Sequence, residues 1–352
     1  MSGMDFERIA SNPVFFERNR VFRVYTGGKL FHEFFGDPAR DNNLPEEWVA
    51  SSVKAMNKNE NDPHEGISRV AGESIYLDEL MKAQKERMTG DLKSFDVLVK
   101  VLDSAIRLPV QAHPDKNFSR RYFHSEFGKT EAWLVLATRE DAKLYFGFRD
   151  GVSEAEFIAA IEASEHDKSA MEKLLNEIPA KAGDLYLIPA GAAHAIGYGC
   201  LILEIQEPTD FTIQPEAWCG DYHLSEFEKY LGIAPEISLE CFDYSISGEC
   251  ALRLGKKTPR VSYEDKALTK EQLIGSEDTS CFLLNRYRIR SEWKELTMPA
   301  IYIVTDGFGE CKREGYSHSL QKGDYFFLPA AAGGTRIETA GGLELVECLP
   351  PR

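Results

Sequence analysis

Four side chains of the kinds that bind a divalent cation stand where they could converge: Gln111, His113, Glu131 and His194. Gln111 and His113 are two apart in VQAHP, so on an extended strand both project from one face, and Pro114 then ends the pairing. Glu131 opens the apolar run EAWLVLA. His194 closes the stretch GDLYLIPAGAAH at 183–194, which reads as a short strand, a turn at Pro189 and Gly191, and a histidine starting the next strand. Two imidazoles, one carboxylate and an amide oxygen can hold a divalent ion and leave room for water or a hydroxy-carbonyl substrate. With only one carboxylate the loaded site stays net positive, which suits an anionic enediolate. Taken singly, each residue is ambiguous. A histidine on a strand is more often a satisfied polar residue than a ligand, and a strand-initial glutamate is usually at the surface.

The elements that must position these groups are mostly short strands. Residues 12–60 begin with an aromatic-rich segment punctuated by Gly27 and Gly28, followed by NNLPEEWVASSVKAMN, which reads as polar up to Trp48 and strand-like after it. A turn and a helix are expected in ISRVAGESIYLDELMKAQKERMTG. The alternating valines between Val97 and Leu102 indicate a buried strand. AWLVLA and KLYFGF read as paired strands across a polar turn. The spacing over 152–179 predicts a helix, with Phe157, Ile158 and Ile161 on one stripe and Met171, Leu174 and Leu175 on another. Strand texture resumes from Asp184 to Ile213.

Beyond a polar break near 234–276, GDYFFLPAAAGG at 323–334 repeats the register of GDLYLIPAGAAH, 140 residues downstream. In both copies Gly-Asp precedes a four-residue apolar strand and then Pro-Ala. Gly334 falls where His194 falls in the first copy. The repeat points to two related β-barrel units, only one of which carries the histidine.

The 41 basic and 57 acidic residues give a net charge of −16, which disfavours a general nucleic-acid binder and a protein seated on an anionic membrane. A small anionic substrate remains compatible with a local cationic site. The start MSGMDFERIASNP carries acidic residues and no apolar segment, unlike a signal peptide, and no run reaches the ~18 apolar residues of a membrane helix. Seven cysteines without a CxxC pair suggest free thiols in a reducing, cytoplasmic setting.

The segments VQAHPDK, FGKTEAW, IPAGAAHAI and LEIQEPTDFT resemble those of the type I mannose-6-phosphate isomerases. These are zinc-dependent double-cupin enzymes that interconvert mannose 6-phosphate and fructose 6-phosphate. The resemblance covers about 12–225 by motif and the remainder by the repeat. It implies a mainly β double cupin with an added helical segment: a metal-bearing unit over 1–233 with a helical insertion near 152–179, and a cupin-like unit over 234–352 without metal ligands. It also implies that Gln111, His113, Glu131 and His194 ligate Zn2+ or another divalent metal. Lys129 matches an active-site lysine of the family, and Glu204 lies in its EIQ segment. The chain departs at two positions. It reads LPVQ where the family reads LSIQ, putting Pro109 in place of a serine, and Gln214 stands where the family has an arginine.

An aldose-ketose isomerase moves a proton between neighbouring carbons. Lys129, Glu204 and Asp210 are the candidate bases, since burial or a nearby metal can bring their pKa values towards neutrality. With Gln214 neutral, the segment between His113 and Glu131 supplies cations for a substrate phosphate: Lys116, Arg120 and Arg121, which otherwise read as ordinary surface charges. The expected function is isomerisation of mannose 6-phosphate. The alternatives are an isomerase of another sugar or sugar phosphate, and a non-catalytic sugar-binding cupin.

Overall fold

The structure, a computed structural model, describes residues 5–57, 62–293 and 296–351. Two antiparallel sheets dominate, and their central strands share one order. In the first, Leu185–Ile188 lies beside Glu131–Thr138, then Cys200–Gln206, then Leu98–Asp103. In the second, Tyr325–Leu328 lies beside Ala300–Arg313, then Leu343–Leu349, then Leu283–Ile289. The mainly β double-cupin architecture is thus the observed one.

The repeated motif makes the same bonds in both sheets. Gly183 N–H donates to Val135 O (2.8 Å) and Val135 N–H to Asp184 O (2.9 Å), while Gly323 N–H donates to Val304 O (2.9 Å) and Val304 N–H to Asp324 O (2.8 Å). Each aspartate carboxylate caps its own turn, Asp184 accepting from Lys181 N–H at 3.1 Å and Asp324 from Gln321 N–H at 2.8 Å. The leading glycines have φ of 89° and 90°, a region that a Cβ disfavours.

Side-chain alternation shows why both faces of these strands are apolar. Val99, Val101, Ala132, Leu134, Leu201, Leu203 and Ile205 face one shared core, which Ile301, Ile303, Tyr325, Phe327, Val346 and Cys348 enter from the second sheet. Leu102, Trp133, Val135 and Ile202 face the interior of the first barrel, and Tyr302, Val304, Phe326 and Leu345 that of the second. The central strands of each sheet are covered on both sides and are therefore largely apolar.

The two sheets also exchange chain across position 233/234. Val14–Phe15 pairs with Tyr325–Leu328 in the second sheet, and Lys256–Lys257 pairs with Leu185–Ile188 in the first.

Several expectations for single elements are corrected. AWLVLA and KLYFGF do not pair. Glu131–Thr138 stays in the large first sheet, whereas Lys143–Phe148 pairs with Leu175–Pro179 and His194–Ile196 in a three-stranded sheet, so the turn at 139–142 carries the chain from one wall of the barrel to the other. The helix expected over 152–179 covers only Glu154–Ala163, capped by Ser153; a 3-10 turn Glu172–Leu174 and the strand Leu175–Pro179 follow. Met171 and Leu175 still pack with Phe157, because the chain folds back upon the helix, while Ile158 points outward at 39% exposure. The strand expected after Trp48 is Glu46–Val49, and Ala50 ends it with φ of 45°. The polar stretch 234–276 is no break. It contains the helices Pro235–Leu239 and Gly248–Gly255 and the strands Arg260–Glu264 and Leu268–Ile274, the former exposed along its whole length and polar for that reason.

All seven cysteines are free thiols, and only Cys250 is exposed. No helix among the described residues is long and apolar enough to cross a membrane. Truncating the shared core far from any polar group, as in Ile303→Ala, is expected to lower stability by about 2–5 kcal/mol. Urea denaturation measures that loss, and the metal content of the folded variant should match wild type.

Candidate metal centre and active-site cavity

The strands of the first barrel deliver their polar residues to one cavity of about 1200 Å³. Gln111 and His194 pair by backbone bonds of 2.9 Å in each direction, which puts their side chains beside one another at the cavity wall. His113 follows two residues on, and Glu131 is the first residue of its strand. The ligand atoms of His113, Glu131 and His194 all lie within 4.8 Å of one another, and the three residues are buried. His113 Nε2 is 3.2 Å and His194 Nε2 3.5 Å from the Glu131 carboxylate.

These residues fit a metal ion. His113 Nδ1–H donates to Phe211 O at 2.9 Å and His194 Nδ1–H to Ala192 O at 2.8 Å, so that both rings turn an Nε2 lone pair towards Glu131. Burial, with Lys129 nearby, pushes the His113 imidazolium down to about 3. Burial lowers His194 too. Burial raises the Glu131 carboxyl, but Lys129 and the two histidines outweigh it and hold the group well below its usual range. Neutral imidazoles and an ionised carboxylate are the ligating states. Among the described residues, His194 Nε2 and Glu131 Oε2 are buried without a hydrogen-bond partner. The nearest cation is the Lys129 ammonium, 2.8 Å from His113 Nε2 and 3.0 Å from Glu131 Oε2, the latter an ion pair rather than an aligned hydrogen bond. A divalent ion satisfies the orphaned atoms better than an ammonium reaching only part of the set.

The remaining residues expected at the site divide. Lys129, Glu204, Asp210 and Gln214 line the cavity, as does Pro109. Glu204 accepts from Trp133 Nε1–H at 3.2 Å and lies 3.5 Å from Lys100 Nζ. Burial, with Glu131 near and Lys100 opposing, raises its pKa to about 7. Asp210 is engaged by Arg23 at 3.1 Å and by Met56 N–H at 3.0 Å. Gln214 Nε2–H donates to Glu228 O at 3.0 Å, which leaves a neutral group at that wall. Lys116 and Arg120 are not on the wall. They stand on the helix Lys116–Tyr122, where Lys116 pairs with Glu207 at 3.4 Å and Arg120 with exposed Glu126 at 2.8 Å. Arg121 lies over the Tyr122 ring.

Lys100, Arg23 and Glu46 are charged residues of the cavity that carry its central ion pairs without having been named among the sequence candidates. Lys100 Nζ sits 3.7 Å from Glu46, 3.5 Å from Glu204 and 3.7 Å from Asp210. Burial lowers its pKa, but those carboxylates outweigh burial and hold it above the usual value. Arg23 bridges Glu46 (2.9 Å) and Asp210 (3.1 Å). Glu46 also accepts from Tyr25 O–H at 2.8 Å and Trp48 Nε1–H at 2.7 Å. Lys100 had a legible signal, a lone lysine inside the buried run LVKVL, since a buried ammonium requires carboxylate partners. Arg23 and Glu46 had none.

Fold and site together define a double-cupin, metal-binding enzyme. A profile described as phosphomannose isomerase type I, catalytic domain, matches residues 29–134. The chain is 33% identical over 343 residues to a mannose-6-phosphate isomerase of Streptococcus mutans, covering 96% of this chain and 98% of that protein. It is 27% identical over 339 residues to a probable mannose-6-phosphate isomerase, GmuF, of Bacillus subtilis, covering 93% of this chain and 96% of that protein. The crystal structure of the mannose 6-phosphate isomerase from Bacillus subtilis superposes with a TM-score of 0.75 at 25% identity, covering 96% of this chain and 99% of that one. The chain belongs to the type I mannose-6-phosphate isomerase family.

Wild-type protein is expected to retain a single divalent ion per chain through desalting. His194→Ala and Glu131→Ala should lose it while keeping the far-ultraviolet circular dichroism of wild type, as elemental analysis beside the spectrum would show.

Proposed function

We propose that the protein interconverts mannose 6-phosphate and fructose 6-phosphate, with Zn2+ held by Gln111, His113, Glu131 and His194 in the unit 1–233 and the unit 234–352 serving as a metal-free scaffold. The observation that carries this reading is the buried His113–Glu131–His194 cluster, with His194 Nε2 and Glu131 Oε2 lacking a hydrogen-bond partner among the described residues, in the same cavity as the Glu204 carboxyl. Two neutral imidazoles and one carboxylate favour zinc among common divalent ions. A divalent ion held by these residues would supply Lewis-acid polarisation of the sugar's carbonyl oxygen.

The chain's own groups supply the rest. Glu204, at about 7, is poised to take the proton from one sugar carbon and return it to the neighbour. Lys129 presents an ammonium beside the metal ligands, where it stabilises an oxyanion. Asp210, tied to Arg23 and the Met56 amide, orients the wall opposite. Gln214 lines the cavity as a neutral contact. Lys116 and Arg120, paired on the outer helix, are assigned no substrate contact. With free cysteines throughout, we place the enzyme in the cytoplasm.

The deciding experiment incubates metal-loaded protein in deuterium oxide with mannose 6-phosphate and follows fructose 6-phosphate formation, with deuterium entry at C1 of that product and at C2 of the recovered mannose 6-phosphate. Neither product nor exchange would sink the reading. Gln214 supplies no cation, so unphosphorylated mannose belongs in the same assay; turnover confined to neutral sugars would make the protein an isomerase of another substrate class.

Glu204→Gln is expected to abolish measurable turnover with metal content unchanged. Because the base acts in its ionised form, kcat/KM should fall as pH drops through the Glu204 pKa. That acid limb should lie at or below about 7, since a divalent ion draws a neighbouring carboxyl down. A pH–rate profile that stays flat through this range would remove Glu204 from the role.

A further inference from the structure

The geometry points to Glu207 as a positioning residue for Lys129, acting through the backbone on either side of it. Glu207 is 3% exposed and follows the strand that carries Glu204. One carboxylate oxygen accepts from Gly128 N–H at 3.3 Å and the other from Thr130 N–H at 2.9 Å, so a single side chain grips the backbone of the residues on either side of Lys129. The grip is returned in part, for Glu207 N–H donates to Thr130 O at 3.1 Å, and Thr209 Oγ1–H donates to Gly128 O at 2.7 Å.

Lys129 needs such a hold because the sheet does not provide one. The paired strand begins at Glu131, whose partners are Gln206 and Ile188, and Lys129 lies outside that ladder. Its own amide bonds Pro114 O at 3.0 Å, where the chain leaving His113 and returning to Glu131 closes upon itself. That closure admits only glycine at 128, since a Cβ there would stand 2.6 Å from Pro114 O. A four-carbon side chain on an unclamped backbone would sweep its ammonium over far more space than the contacts to His113 Nε2 and Glu131 Oε2 define. A carboxylate accepting two backbone N–H groups is the strong form of hydrogen bond for fixing it. Lys116 thereby acquires a role, since its ammonium 3.4 Å from Glu207 lies against the clamp rather than the substrate.

This inference rests on the isomerase reading, which the same assay checks. Zinc-loaded wild-type, Glu207→Ala and Glu207→Gln proteins are compared for kcat, KM and metal affinity, with amide hydrogen exchange at Thr130 and Ala132. In Glu207→Ala the Thr130 amide should exchange faster while Ala132 keeps its protection. Metal affinity and KM should stay near wild type, and kcat should fall by about 100-fold, the cost of a misplaced reacting group. Glu207→Gln keeps one acceptor for Thr130 N–H and should recover most of that loss, a rescue that general destabilisation would not produce. An unchanged kcat in either variant with Thr130 freed overturns the proposal, as does a loss of kcat that tracks loss of metal. If Glu207→Ala does not fold, Glu207→Leu, which fills the same buried space and removes both acceptors, is read by the same measurements and must show the same freed Thr130 amide and lowered kcat. Absence of turnover by wild type overturns the isomerase reading and this inference together, whereas normal wild-type turnover with an indifferent Glu207 overturns the inference alone.

Discussion

Inside the first barrel a carboxylate, two neutral imidazoles and an ammonium meet away from water, and the surrounding structure answers to the cost of that burial. Glu131 cannot be held ionised there without cations, and among the described residues the imidazole lone pairs have no donor other than Lys129. The charge set is therefore closed by further pairs. Lys100 and Arg23 stand among Glu46, Glu204 and Asp210, so that each buried charge finds an opposite one within 4 Å. Glu204 is the exception in kind. It shares Lys100 with two other carboxylates and lies near Glu131, so it is the member whose proton is most loosely governed and hence the one suited to proton transfer.

Holding such a cluster requires a rigid frame, and the second barrel supplies it. It repeats the first strand for strand, down to the paired backbone bonds of its Gly-Asp turn, and presses its sheet against the outer face of the strands that carry the site. Where the first copy has Glu131, Trp133 and Glu204, register with the turn puts Ala300, Tyr302 and Glu347 in the second. Glu347 is fully buried and accepts from Asn285, Tyr287 and Tyr302, so the carboxylate there is satisfied by neutral donors.

The segment after Glu204 ties the parts of the site together. Gln206 holds the carbonyls of Glu207 and Thr209, Glu207 grips the backbone around Lys129, Asp210 receives Arg23, and Phe211 O orients His113. Neighbours on this short run touch the backbone around Lys129, the charge network of Arg23 and the His113 ring. That is why its departures in sequence matter more than those on a surface loop.

The His113–Glu131–His194 cluster, the twofold repeat and the buried strands were legible because each signal is local. A strand declares its faces by alternation, a turn by its Gly-Asp and Pro-Ala, and a shared strand face by spacing, as for Gln111 and His113. Partnership is not local. Nothing in the order of residues says that the strand Lys143–Phe148 leaves its neighbour Glu131–Thr138 for Leu175–Pro179, or that the helical spacing of 152–179 conceals a fold-back. Nor does it say that Lys116 and Arg120 turn to Glu207 and Glu126 while Arg23 meets a carboxylate 187 residues away. A charge far from the motif becomes part of the site only when the sheets bring it within a few ångströms of an opposite charge in a dry cavity, and that distance exists only in the folded chain.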